Sequence, residues 1–304
     1  MVTVHVERTP RRFSARSALA AIAGRGLGSV PPPMLVLAGI VSVQVGAALA
    51  KDLFPIAGAV GVVTLRLVFA AVILLVAWRP SLRMTRQSWL VVGAFGSVFG
   101  VMNVCFYEAI VRLPLGVAVT IEFLGPLALA IGGSRRWRDL LWALLAAGGV
   151  ALLTDGGGRV SWLGVLFALG AGTCWACYIL LSAKLGAQSS GGGGLAVAMA
   201  VGGLLVLPFG VAQSGTALLH PVVLAAGFGV ALLSSVVPYS VELEALRRIP
   251  PRVFGVLMSL EPAVAALAGL IVLGQGLHPL QWLAICLVVG ASAGATRTSP
   301  PAEI

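Results

Sequence analysis

NVCFYEAIVRLPLGVAVTIEFLGP, residues 103–126, and YSVELEALRRIPPRVFGVLMSLEP, residues 239–262, align without a gap at an offset of 136 positions. Glu108, Ala109, Arg112, Pro114, Val117, Leu124 and Pro126 coincide with Glu244, Ala245, Arg248, Pro250, Val253, Leu260 and Pro262. Each copy reads as the end of one apolar helix, a short Arg/Pro connection, and a second apolar helix carrying a proline. A helical hairpin is used twice, and the rest of the chain surrounds it.

Composition puts these hairpins in a membrane. The chain is 59% hydrophobic and 10% charged over 304 residues, where an ordinary soluble domain is about 25% charged. Its apolar stretches are continuous rather than alternating, which excludes a β-barrel and predicts an all-α integral membrane protein. The 39 glycines suit close approach of membrane helices. Ten apolar runs fall at about 33–50, 57–78, 88–111, 115–133, 138–154, 161–183, 194–212, 221–246, 251–273 and 277–296. The seventh, after a glycine linker, is the weakest.

The net charge of +10 does not indicate nucleic acid, because the basic residues sit in short loops between apolar runs. Cys105, Cys174, Cys177 and Cys286 all lie inside apolar runs and read as small packing residues. The Cys174/Cys177 pair has no second pair to complete a zinc site. His5, His220 and His278 are scattered over tail and loops, so no metal is expected. No phosphate-binding loop and no Ser/His/Asp arrangement occurs. These absences point away from an enzyme, a cofactor and ATP coupling.

With the N-terminus in the cytoplasm, 16 Lys and Arg fall on the cytoplasmic side, three (Lys51, Arg112, Arg159) fall outside, and Arg66 lies within a span. That asymmetry predicts ten spans with both termini inside. The Arg112 connection then falls outside and its copy at Arg247, Arg248 and Arg252 inside. Leu49-Ala50-Lys51 and Ser182-Ala183-Lys184 extend the match, so the fold reads as two inverted five-helix repeats, 33–154 and 155–296. Inverted repeats surround a midplane site in alternating-access carriers. Residues 1–32 read as a disordered basic cytoplasmic arm able to meet anionic lipid headgroups, and 297–304 as a cytoplasmic tail.

A charge inside a membrane helix costs about 2.5–3.5 kcal/mol. Yet Glu108, Glu122, Glu242, Glu244 and Glu261, half of the ten acids, lie in or at the ends of apolar runs. Glu108 and Glu244 have Arg112 and Arg248 four residues on, the spacing of a local ion pair. For Glu122, Pro126 removes the i+4 N–H, placing a carboxyl and a free carbonyl at one depth to suit an ammonium group. Glu261 precedes Pro262, which likewise frees the Met258 carbonyl. Ser235, Pro238, Tyr239 and Glu242 fall on one helical face. Arg66 either pairs with an acid or holds a carboxylate. Asn103, Tyr107, Trp175, Gln44, Lys51 and Tyr178 are further candidates. The competing readings are hydrogen bonds within the helix bundle and interfacial anchoring.

These residues resemble the drug/metabolite transporter superfamily, in its EamA-domain branch, and within it the threonine/homoserine exporters. The matching segments are ALAK at 48–51, LFPIAG at 53–58, TLRL at 64–67, LPLG at 113–116, EFLGPL at 122–127, ALGAG at 168–172, Cys174-Trp175, VPYS at 237–240 with Glu242, Phe254-Gly255 and MSLEPA at 258–263. The resemblance spans nearly the whole membrane part. It implies two EamA-type repeats, a multi-pass protein of the bacterial cytoplasmic (inner) membrane, and export of small amino acids in exchange for protons. One departure stands out: the family's Leu-Gly-Glu after run nine is here Leu273-Gly274-Gln275.

The expected site lies in a central cavity, with Glu122, Tyr239, Glu242 and Glu261 meeting substrate and Arg66, Asn103, Tyr107 and Trp175 assisting. Partners are the amino acid, the lipid bilayer and protons as coupling ion, with no nucleic acid. The alternatives are a carrier of another small metabolite or cationic drug, and a non-transporting membrane scaffold.

Overall fold

The computed structural model describes residues 30–80, 84–132, 137–155, 161–188 and 193–298. Residues 1–29 of the proposed basic arm, the C-terminal tail beyond Thr298 and the loop residues Arg83, Arg135, Arg136 and Arg159 lie outside the described residues, whereas Pro32, expected in the arm, begins the first helix. All described elements are helical. They are α1 (Pro32–Asp52), α2 (Phe54–Trp78), α3 (Arg86–Arg112), α4 (Leu115–Glu122), α5 (Leu124–Gly132), α6 (Trp137–Asp155), α7 (Trp162–Gln188), α8 (Gly193–Ser214), α9 (Pro221–Ala231), α10 (Val237–Leu246), α11 (Pro251–Met258), α12 (Glu261–Leu273) and α13 (Pro279–Thr298). A 3₁₀ turn, Gly215–Leu219, follows α8, and a π turn, Leu232–Val236, joins α9 to α10.

Nine spans among the described residues are long and apolar enough to cross a membrane. The fifth expected run is helical as α6, with an apolar part from Leu140 to Leu152. The expected ten runs thus appear as nine full-length spans and one helix with a shorter apolar part. The seventh run is a well-formed helix despite Pro208 in its interior.

Three runs expected as single helices are broken. The fourth is interrupted at Phe123, between α4 and α5, and the ninth at Ser259–Leu260, between α11 and α12. These breaks are repeat equivalents: α4 and α11 each have eight residues, each starts after a proline cap (Pro114, Pro250), and their ends, Glu122 and Met258, lie 136 positions apart. In both, a proline four residues beyond the last helical residue removes the N–H that would continue the ladder. The eighth run breaks at the π turn, before Pro238.

α2 contains one non-helical residue, Gly58, at φ +62°. The helix restarts beyond it with unpaired N–H groups. Gln213, at the end of α8, supplies the acceptor: its Oε1 takes the Val60 N–H at 2.9 Å and the Gly61 N–H at 3.4 Å. Gln213→Ala removes this cap and is expected to cost about 1 kcal/mol, read as a lowered thermal midpoint in detergent.

The helices pair as α2 with α8, α3 with α7, α1 with α10, α6 with α13, and α4 with α12. Small residues make the closest crossings. At α3/α8, Gly96 faces the Ala198 carbonyl and Gly202 faces the Gly96 carbonyl. At α4–α5/α7, Gly172 sits in the break between the two helix pieces, against the Glu122 carbonyl, and Gly125 faces the Gly172 carbonyl.

Candidate functional site

The polar group at the centre is assembled from both halves of the chain. Pro238 cannot bond back to residue 234, so the Ser234 carbonyl is released from the helix ladder. Arg66 of α2 takes it, Nη2 donating at 2.8 Å. Arg66 Nε donates to Ser235 Oγ at 3.3 Å, and Nη1 to the Tyr107 hydroxyl at 3.3 Å. The Tyr107 ring lies 5.6 Å below the guanidinium carbon and is held by Phe54 and Phe106. Arg66 is only 7% exposed, and no acid among the described residues pairs with it. Of its five N–H groups, three are engaged by these bonds and two remain.

Glu122 and Glu261 are buried. Glu122 lies within electrostatic reach of both Glu261 and Arg66. Its carboxyl has no hydrogen bond to a described residue. Glu261 accepts from Gln44 Nε2 of α1 at 3.1 Å through one oxygen. Glu242 lies beside Gly39 of α1 and within electrostatic reach of Glu261. Tyr239 lies close to Tyr178 and within electrostatic reach of Arg66, with Phe99 against both rings. The structure therefore brings Arg66, Tyr107, Glu122, Tyr239, Glu242 and Glu261 into one neighbourhood.

Two further expected site residues have other partners. Asn103 turns into its own helix, Nδ2 donating to the Phe99 carbonyl at 2.8 Å. Trp175 packs edge-on against Phe123 at 5.2 Å. The carbonyl of Glu122 that Pro126 frees has Gly172 of α7 packed against it. Elsewhere, a groove of about 420 Å³ opens between α2, α3 and α8, lined mostly by apolar residues including Val60, Val104, Leu205 and Phe209.

Sequence reasoning passed over Ser234 and gave Gln44 little weight. The signal for Ser234 was Pro238, by the same i−4 argument applied to Pro126 and Pro262. Gln44 is a lone amide in α1, and only its partner on α12 reveals it.

The remaining charges are structural. Arg112 pairs with Glu108, and Arg248 with Glu244 at 3.0 Å, as their spacing predicts. Lys51 Nζ donates to the Leu113 carbonyl at 3.0 Å, pinning the α3–α4 connection. The four cysteines are free. Gln275 follows Gly274, which ends α12 in the left-handed conformation at φ +62° and lets the Gln275 N–H reach back to the Gly269 carbonyl at 2.9 Å. Its side chain then caps α4, Oε1 accepting the Leu115 N–H at 2.9 Å. Gln275→Glu keeps this acceptor and is expected to leave stability within about 0.5 kcal/mol. Gln275→Leu leaves Leu115 N–H uncapped, and its thermal midpoint is expected to fall by the equivalent of about 1–2 kcal/mol.

Residues 162–297 match the EamA-like transporter family. The chain is 44% identical over 271 residues to the threonine/homoserine exporter RhtA of Escherichia coli K12, covering 88% of this chain and 92% of that protein. The RhtA of Salmonella typhimurium LT2 matches to the same extent, 44% over 271 residues with 88% and 92% covered. The uncharacterized transporter YwfM of Bacillus subtilis 168 is 26% identical over 235 residues, 73% of this chain and 79% of its own. A crystal structure 19% identical in sequence shares the fold with a TM-score of 0.57, covering 90% of this chain and all of the other. A multi-pass membrane protein with this polar centre and relatives of this identity over nearly its whole length belongs to the EamA-like transporter family, as a transporter similar to the threonine/homoserine exporters.

Proposed function

We propose that this protein exports small amino acids of the threonine and homoserine kind across the bacterial cytoplasmic membrane, by alternating access between two inverted repeats and in exchange for protons. The observation that carries the reading is Arg66: a buried guanidinium with no acid paired to it and N–H groups to spare, beside acids from both halves of the chain. A zwitterion fits that arrangement. Its carboxylate takes the two remaining N–H groups in the fork geometry that suits arginine, and its ammonium takes the acids. The 44% identity to threonine/homoserine exporters supports the substrate class.

The helix pairing supports inversion. α3 packs on α7, and its repeat counterpart α10 packs on α1. α2 with α8 and α6 with α13 are pairs of repeat equivalents, and α4 packs on α12, the continuation of its equivalent α11. The Gln275–Leu115 contact joins the end of α12 to the start of α4, which favours hairpins opening to opposite membrane faces, and the excess of Lys and Arg on one side favours termini in the cytoplasm. Glu122, carrying no hydrogen bond to a described residue, is the acid left to take the exchanged proton.

Purified protein in lipid vesicles loaded with unlabelled threonine is expected to accumulate labelled threonine and homoserine by counterflow. An acid lumen without internal substrate is expected to drive uptake, and a protonophore to abolish it. Counterflow with no response to the pH gradient overturns proton exchange alone, whereas no counterflow of any amino acid overturns the exporter reading.

A further inference from the structure

Three buried oxygens at the centre have no partner, Gln44 Oε1, Ser234 Oγ and Glu261 Oε2, and the first and last belong to side chains bonded to one another. Gln44 is 1% exposed and Glu261 8%. The bond from Gln44 Nε2 to Glu261 Oε1 at 3.1 Å uses one atom of each group. Gln44 Oε1 and Glu261 Oε2 remain buried without a hydrogen bond. A carboxylate needs a donor, so it fixes the amide with its NH₂ inward and its oxygen turned away. Leaving such acceptors unmade costs about 1–3 kcal/mol each, and such groups persist where a ligand completes them.

Both vacant atoms are acceptors, so the missing partner is a donor. A carboxylate offers no N–H or O–H and a hydroxyl offers one, while a primary ammonium offers three. The charge agrees: among the described residues no cation pairs with Glu261, and Glu242 adds negative potential nearby.

We propose that Gln44 and Glu261 together form the seat of the substrate's ammonium group, Gln44 Oε1 and Glu261 Oε2 each accepting one of its N–H bonds while Gln44 Nε2 holds the carboxyl in place. This rests on the amino-acid exporter reading and adds Gln44 as a substrate-binding residue. Gln44 comes from the first half of the chain and Glu261 from the second, so the bound ammonium bridges them, and an analogue without it leaves both oxygens unpaired.

The test is inhibition of labelled threonine counterflow by unlabelled threonine and by 3-hydroxybutanoate, which keeps the carboxylate and hydroxyl and lacks the amine. Gln44→Met, close in shape and without the amide, is expected to weaken inhibition by threonine about tenfold or more and to leave inhibition by 3-hydroxybutanoate unchanged. Gln44→Leu, which also removes both amide atoms, provides a second variant should the first not fold, and is expected to separate the two ligands in the same way. Equal weakening for both ligands makes Gln44 a structural residue and overturns the proposal. Unchanged inhibition by threonine also overturns it, with water as the partner of the two oxygens. Absence of amino-acid counterflow in the unsubstituted protein overturns the exporter reading itself and is distinguished by that control.

Discussion

Replacement of Arg66 by glutamine is expected to reduce threonine counterflow at least a hundredfold. Hydrogen bonds to charged groups contribute about 1.5–3 kcal/mol each, and a tenfold change in affinity is about 1.4 kcal/mol, so losing a two-pronged carboxylate contact reaches that size. Arg66→Lys keeps the charge but not the planar fork, and an intermediate loss of about tenfold is expected. Arg66 also ties α2 to the π turn through Ser234 and Ser235. The variants are therefore compared at equal amounts of monodisperse protein with their thermal midpoints measured in parallel. Near-normal counterflow in Arg66→Gln would remove this residue from the site.

The second large effect is structural. A Cβ at Gly172 would come within 2.5 Å of the Glu122 carbonyl oxygen, and one at Gly125 would collide with the Gly172 carbonyl. In both places backbone meets backbone, so no side-chain rotation relieves the clash. Overpacking costs about 1–3 kcal/mol, and the upper end is expected here because two helix axes must separate at the break between α4 and α5. Gly172→Ala and Gly125→Ala should lower the thermal midpoint markedly and reduce the yield of monodisperse protein. Gly229, where a Cβ meets nothing within 4 Å, is the control. Gly229→Ala should be neutral or slightly stabilising, since alanine is the better helix former.

Much of the fold was legible because the physics behind it is local. Apolar runs long enough to span a bilayer show themselves in composition, and the hairpin repeat showed in seven coincident residues. Its folded copies indeed break at equivalent places. The ion pairs of Glu108 and Glu244 followed from spacing alone. The site was legible only as an inventory. Arg66, Glu122 and Glu261 stood out because charge is costly in a membrane, but their neighbours are 41 to 217 positions away in sequence, and no local pattern encodes such pairs. Asn103 illustrates the limit: its polarity marked it as a candidate, whereas its amide satisfies a carbonyl four residues back. Gln275 illustrates the converse. It stood out only as a departure from the family's Leu-Gly-Glu, and its side chain supplies the acceptor that caps α4.

A carboxylate held by Arg66 is the central contact, and one thermodynamic cycle measures it. Binding of threonine and of threoninol, its analogue without the carboxylate, is compared in the unsubstituted protein and in Arg66→Gln. The predicted result is that threoninol binds the unsubstituted protein far more weakly than threonine does, and that Arg66→Gln weakens threonine about a hundredfold while hardly changing threoninol, a coupling of about 2–3 kcal/mol. Equal losses for both ligands, giving no coupling, would contradict it.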